Sequence, residues 1–324
     1  MVEKSNGIVP SLADKIFGSL IGLCFADAVG ACFEGMSREE LHAKFQDQSD
    51  AWAFALNQKE LRYTDDGQMT LAIAEYLAEN SSVVSDELMR RFVQVYEPWR
   101  GYGRGARVLI EAFRDQADYE FMAEHLFPGG SLGNGAAMRS APVGLRFLND
   151  RSRIWKEATA SAWPTHRHEL GIEGAQLIAV AASIAAAESS IDPNSLADQL
   201  TPLCSTVVFQ NRLERLRQVR FQDDMESLGN GIEAHESVVT ALACFALYPT
   251  NYQSAISTAI WQGGDTDTIA AMTGGLVGAH LGARFTTDIP LEKLEGGEEL
   301  VSYIWDLAKR MEILALKHDP SGRS

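Results

Sequence analysis

Cysteine is scarce in this chain. Its 324 residues include four, Cys24, Cys32, Cys204 and Cys244, with no Cys-x-x-Cys pair. That excludes a disulfide scaffold and a thiolate zinc site, and it predicts buried free thiols in a reducing compartment. Positive charge is also short: 28 Lys and Arg stand against 44 Asp and Glu, a net charge of -16. Electrostatic capture of nucleic acid or of an anionic membrane is not expected of such a chain. Long apolar runs are missing. The longest, Gly174 to Ala187, falls short of the roughly 20 residues that a bilayer requires and predicts a core helix. The first residues lack a basic segment followed by an apolar one, so a cytoplasmic protein is expected. No stretch alternates polar and apolar residues for long, which speaks against sheet.

What is present is helical. The chain is 46% hydrophobic, enough for a large core, and its apolar pattern is alanine-rich with helical spacing. The expectation is an all-α fold in a single domain over 1–324, with flexible polar tails at 1–10 and 319–324. Helices are predicted from Ser11 to Gly30, from about Asp65 to Glu79, and over 86–98, 106–116, 170–187, 234–247, 251–261, 269–282 and 299–317. Residues 37–62 read as mixed, and 188–228 as two weaker helices. In the first helix Gly18, Gly22, Ala26 and Gly30 form a stripe of small residues at i, i+4 spacing. Gly274, Gly278 and Gly282 repeat it near the other end of the chain. Such stripes let helices approach closely, and these two helices are expected to neighbour one another.

The strongest chemical signal is Trp261-Gln262-Gly263-Gly264-Asp265-Thr266-Asp267-Thr268. Two glycines free the backbone, and two carboxylates follow at i and i+2 before a small-residue helix. Capping a helix needs one such side chain, not two. A second set, Tyr63-Thr64-Asp65-Asp66-Gly67, opens another helix. Adjacent carboxylates repel unless a cation compensates, and oxygen-only ligands suit Mg²⁺, Mn²⁺ or Ca²⁺. The two helix starts are expected to meet and hold one or two metals.

Three further segments stand out. Glu34 follows Phe33 and precedes Gly35 beyond an apolar helix; locally it reads as a surface carboxylate. The glycine-rich loop from Gly129 to Gly135, just after Phe127, precedes a helix and would expose backbone N–H groups. That arrangement can cradle phosphates without lysines, although many such loops are only turns. His166 lies in Trp163-Pro164-Thr165-His166, where a satisfied structural histidine is the first reading and a ligand-facing one the second.

Taken in order, these segments resemble the ADP-ribosyl-acceptor hydrolases, the ADP-ribosylglycohydrolases. The resemblance runs from about residue 14 to 285. It rests on the first helix ending in Phe33-Glu34, on Thr64-Asp65-Asp66, on Arg100-Gly101-Tyr102-Gly103, on Gly130 to Arg139, on Thr165-His166 and on Gly263 to Thr268. Gly130-Ser131-x-Gly133-Asn134-Gly135 and Leu228-Gly229-Asn230-Gly231-Ile232 with Glu236-Ser237-Val238 look closest to the serine-specific, third type. The resemblance implies an all-α fold with two divalent cations, Mg²⁺ or Mn²⁺, in a central cleft. Their ligands would be Thr64, Asp65, Asp66, Asp265, Asp267 and Thr268. Glu34, with Asp66 and Asp267, would be catalytic. Gly130, Ser131, Leu132, Gly133 and Asn134 would hold the diphosphate, with His166 and Phe127 along the same cleft. Leu132 stands where the serine-type pattern has an aromatic.

The implied substrate is an ADP-ribosylated protein, with ADP-ribose as product. O-linkage to serine is favoured, with O-acetyl-ADP-ribose or ADP-ribose polymer as other O-linked substrates. The competing expectations are an arginine-linked substrate, a catalytically silent ADP-ribose-binding member, or a metal hydrolase of phosphate esters.

Overall fold

The computed structural model describes residues 10–317, and the tails expected at 1–10 and 319–324 fall, apart from Pro10, outside the described residues. Sixteen α-helices and several short 3-10 turns make up the described chain. Among those residues there is no strand, only two isolated bridges, Leu61 with Leu294 and Gly133 with Glu233. The all-α expectation holds.

The first helix, α1 (Leu12–Gly30), starts at Ser11, whose hydroxyl and Asp14 form a reciprocal capping box. Two short helices follow, α2 (Arg38–Lys44) and α3 (Gln48–Leu56), where the sequence reads as irregular. Each is too short to show a period. Side-chain caps set them instead: Ser37 accepts from the Glu40 amide, and Asp47 accepts from the Asp50 amide. Then come α4 (Asp65–Leu77) and α5 (Ser85–Val95). The second of these stops short of Pro98 because Glu97, preceding the proline, is extended. Next are α6 (Arg104–Arg114), α7 (Tyr119–His125), α8 (Ala141–Arg146) and α9 (Arg151–Ala162). The chain between 117 and 162 carries more helix than its pattern suggests. In α9 only Ile154, Ala158 and Ala162 form the buried apolar row, among polar neighbours.

The long helix α10 (Glu169–Ala187) is capped by the His168 ring. By length and composition it could cross a membrane, yet it is a core helix here, buried almost throughout. The two weaker helices are α11 (Pro193–Leu200) and α12 (Val207–Leu216). The chain closes with α13 (Ala234–Leu247), α14 (Tyr252–Trp261), α15 (Thr266–Leu281) and α16 (Gly297–Lys317). One large core runs through all of these layers, and all four cysteines are free thiols.

The centre of the fold is the pair α1 and α15, which neighbour one another as the two stripes of small residues suggest. A Cβ at Gly22 would lie 2.7 Å from the Gly274 carbonyl oxygen, and one at Gly278 would overlap the Gly18 carbonyl. The backbones therefore touch without side chains between them. Gly30, at the end of α1, meets the start of α15: a Cβ there would lie 2.7 Å from the Asp267 Cα. Tyr252 of α14 closes the contact by donating its hydroxyl to the Gly22 carbonyl at 2.5 Å.

This packing predicts a contrast within one helix. Gly278→Ala should destabilise the protein by about 3 kcal/mol, because a backbone carbonyl cannot give way. At Gly275 the nearest atom is a Leu23 methyl carbon at 3.3 Å. Gly275→Ala should therefore be near neutral, its overpacking offset by the roughly 1 kcal/mol gained when alanine replaces a helical glycine. Urea unfolding midpoints of the two variants provide the measurement, and equal losses would contradict the backbone contact.

Candidate active site

The site is built where two helices start and one ends. Thr64 caps α4, its hydroxyl accepting from the Asp66 amide at 3.3 Å. Thr64 is itself held by Asp27 of α1. Asp27 accepts from the Thr64 amide at 2.9 Å, from the Thr64 hydroxyl at 2.8 Å and from the Gly67 amide at 2.8 Å. Both Asp27 oxygens are thus committed. Arg100 anchors the residue before this cap. It donates to the Tyr63 carbonyl at 2.6 Å and to Glu295 at 2.7 Å, and its guanidinium lies over both the Tyr63 and Trp99 rings. Tyr102 donates to Gln68 of α4 at 2.6 Å.

The start of α15 is fixed by its glycines. Gly263 and Gly264 have φ of 70° and 75°, which side-chain-bearing residues rarely adopt. The turn they make lets the Gly264 amide donate to the Met36 carbonyl at 2.8 Å, while the Gly35 amide donates to Gly264 at 3.2 Å. The loop carrying Glu34 is thereby tied to the aspartate motif. Thr266 donates to the Gly30 carbonyl at 2.9 Å, and the Asp265 amide to the Asn230 carbonyl at 2.9 Å.

The two helix starts meet, as their sequences suggest: the Thr268 hydroxyl donates to Asp66 at 3.4 Å. One oxygen each of Asp27, Asp66 and Asp267 lies within 4.8 Å of the others. Asp66 Oδ1 is buried with no hydrogen-bond partner. Asn134 joins Asp265 to Ser237 of α13, donating to both. Burial pushes these carboxyls upward, and their mutual repulsion adds to it for Asp66 and Asp267. Asp27 rises to about 8 and Asp65 to about 7, Asp265 is raised, and Asp66 and Asp267 lie well above the usual range. An all-oxygen donor set, with one acceptor left open and charges that repel when ionised, fits a hard divalent cation.

A cleft of about 360 Å³ opens onto this cluster. Glu34, Asp65, Asp66, Asp265, Asp267 and Thr268 line it on one side. Ser131, Gly133, Asn134, His166 and Phe127 line it as well. Glu34 is exposed at the surface, as a local reading suggests, yet it faces this cleft; partial burial and the charge of Asp265 raise its carboxyl. Three expected residues lie outside the lining. Thr64 turns to Asp27 and Asp66. Gly130 packs on the backbone of Arg167 and His168, and the Leu132 carbonyl accepts from the Ala234 amide at 3.0 Å.

His166 is buried, and burial together with the Arg139 charge lowers it to about 3, so the ring is neutral. The Thr165 hydroxyl accepts from Arg139 at 2.8 Å and sits 2.7 Å from His166 Nδ1. The other ring nitrogen, Nε2, lies beside Gly133 and Gly135. His166 thus pairs with Thr165 through Nδ1 and lines the cleft.

Two participants escape a reading of the sequence. Asp27 is the lone charge in the apolar run from Ile16 to Phe33, a signal that was available. Arg139 is fully buried, and no periodicity marks it.

Known proteins share this arrangement of helices. The family model described as ADP-ribosylglycohydrolase matches residues 9–321. The chain belongs to the ADP-ribosylglycohydrolase family. It is an ADP-ribosyl hydrolase, a glycosidase by reaction class. It is 32% identical to ADP-ribosylhydrolase ARH3 of Xenopus tropicalis, over 82% of this chain and 86% of that one. To ADP-ribosylhydrolase ARH3 of Homo sapiens it is 30% identical, over 87% and 89%. A solved structure titled ADP-ribosylglycohydrolase-related protein complex superposes with a TM-score of 0.70 at 22% identity, over 94% of this chain and 99% of that one. That likeness bears on the fold.

The raised carboxyls give the hydrolase a definite pH response. Folded Asp27 and Asp65 keep protons that an unfolded chain, with carboxyls near 3.8, has lost. Their contribution to metal-free stability is fully present below about pH 4 and is lost as the pH rises towards about 8. In EDTA, the urea midpoint should be lower at about pH 8 than at about pH 5, and Mg²⁺ should raise it more at the higher pH. A midpoint that climbs over this range in EDTA would contradict the crowding of carboxylates.

Proposed function

We propose that the cleft hydrolyses the bond between C1″ of the distal ribose of ADP-ribose and an oxygen of the modified protein, with serine as the favoured site. The observation that supports this most directly is a single cleft lined by Asp65, Asp66, Asp265, Asp267 and Glu34 together with Ser131, Gly133 and Asn134. Two divalent cations, Mg²⁺ or Mn²⁺, held by Thr64, Asp65, Asp66, Asp265, Asp267 and Thr268, would orient the ribose hydroxyls and acidify a water.

The other roles belong to side chains of this chain. Asp27 orients Thr64. Asn134 holds Asp265 in place while the loop before it receives the diphosphate. Neutral His166 presents Nε2 to the cleft. Cleavage at C1″ passes through oxocarbenium character, and a carboxylate nearby stabilises that charge or moves a proton. Glu34 suits that role. It faces the cleft, has no hydrogen-bond partner among the described residues and is held above the usual carboxylate range. Asp66 and Asp267 would contribute by holding the metals.

What the cleft offers a leaving group supports the serine linkage. A departing guanidine needs acidic or aromatic partners for a planar cation. Outside the aspartate cluster, the cleft presents one carboxylate, Glu34, and besides the His166 ring one aromatic, Phe127. A serine alcohol is small and neutral and needs neither. The segments Gly130 to Asn134 and Gly229 to Gly231 with Glu236-Ser237 resemble the serine type as well. Free cysteines and an acidic surface accord with a cytoplasmic enzyme.

Two measurements bear on this reading. Glu34→Gln should keep ADP-ribose affinity within about threefold and lose at least about a hundredfold in kcat, the scale of a general acid–base contribution. Affinity that collapses while kcat survives would remove Glu34 from the chemistry. Offered one serine-linked and one arginine-linked ADP-ribosylated peptide with Mg²⁺, the enzyme should release ADP-ribose from the first. Release from the arginine-linked peptide alone would overturn the serine assignment, and release from neither, with or without metal, would leave a binding protein.

A further inference from the structure

The substrate of the proposed reaction carries a diphosphate, and the cleft that receives it is acidic. Five carboxyl residues line it: Glu34, Asp65, Asp66, Asp265 and Asp267. Two cationic residues line it as well, Arg104 and Arg139. Arg139 commits both terminal nitrogens of its guanidinium to the protein. It is fully buried, with Nη1 donating to the Gly135 carbonyl at 2.8 Å and Nη2 to the Ser161 carbonyl and the Thr165 hydroxyl. Its guanidinium also lies over the Phe92 ring. Arg104 is the opposite case. It is exposed and, among the described residues, makes no hydrogen bond, ion pair or ring contact.

Its place in the fold adds a second argument. Arg104 is the first residue of α6, and Gly103, Gly105 and Ala106 line the cleft with it. No side chain caps this helix start. Its first amides therefore remain open on the cleft side, where the helix dipole favours an anion. Gly105 also packs against the Phe127 ring, at 2.7 Å from Cε2 for a Cβ there, so this turn adjoins the start of the glycine-rich loop.

We infer that Arg104 is the side-chain cation that binds the diphosphate of the ADP-ribosyl group, paired with the open amides of the first turn of α6. The inference rests on the reading of the cleft as an ADP-ribose site. A guanidinium presents a rigid fork of donors that matches phosphate oxygens, and its charge offsets the field of a chain with net charge -16. Arg104 is thus a binding residue for the anionic middle of the substrate.

The test compares Arg104→Gln and Arg104→Lys with Arg107→Gln, an exposed arginine of the same helix outside the cleft lining. ADP-ribose binding is measured by calorimetry in Mg²⁺ at low and high salt, and kcat and KM are measured on an ADP-ribosylated peptide. Arg104→Gln should weaken ADP-ribose binding and raise KM by about tenfold to a hundredfold, with kcat within about threefold. Arg104→Lys should recover part of the loss, Arg107→Gln should match wild type, and the wild-type advantage should shrink at high salt. Wild-type affinity in Arg104→Gln, or an equal loss in Arg107→Gln, would overturn this assignment and leave the ADP-ribose reading standing. A wild-type protein that binds no ADP-ribose would overturn both.

Discussion

Everything in this molecule depends on two helices that touch through their backbones. Side chains between α1 and α15 would hold the axes apart. With glycine at 18, 22, 274 and 278, carbonyl oxygens of one helix occupy the space where the other would carry a Cβ. Because the helices meet along their length, the end of α1 lies against the start of α15, and Asp27 comes within reach of both Asp66 and Asp267. The acidic cluster is therefore a product of packing. No single segment contains it.

The second constraint is electrostatic, and it opposes the first. Packing draws carboxyl groups into a place where water does not compensate them, and each resists ionisation there. The protein accepts that cost at one location and surrounds it with donors: the Thr64 hydroxyl and amide, the Gly67 amide, the Asn134 amide and the Thr268 hydroxyl. These fix the rotamers of the acids without neutralising them. What remains unsatisfied, above all the free oxygen of Asp66, is a demand for positive charge that the folded chain does not itself meet.

Much of this was legible in the sequence because it is written in local rules. The span of α13 and the capped starts of α1 and α4 follow from apolar spacing and polar caps. The approach of α1 and α15 follows from small residues recurring every fourth position. The two Asp sets announced themselves by an excess of carboxylates over what capping needs. The rest lacked a local signature. Helices α2, α3 and α7 have two or three turns and bury little, so no period emerges. Asp27 looked like one residue in a core helix; only the fold shows that it faces another helix start. Gly130 and Leu132 belong to a loop whose neighbours reach the cleft, while these two serve backbone packing. Spacing along a chain cannot distinguish those cases.

His166 illustrates how burial can remove a residue from the titration expected of it. A histidine beside a catalytic cleft ordinarily changes charge between about pH 5 and 8, and so gives an enzyme its sensitivity near neutrality. Here the ring is enclosed, faces a buried arginine and stays uncharged down to about pH 3. It serves the cleft as a fixed dipole of constant polarity. The ring therefore adds no change of charge of its own to the cleft in the physiological range, and a chain with a histidine in its cleft would behave there, as far as that residue is concerned, like one without.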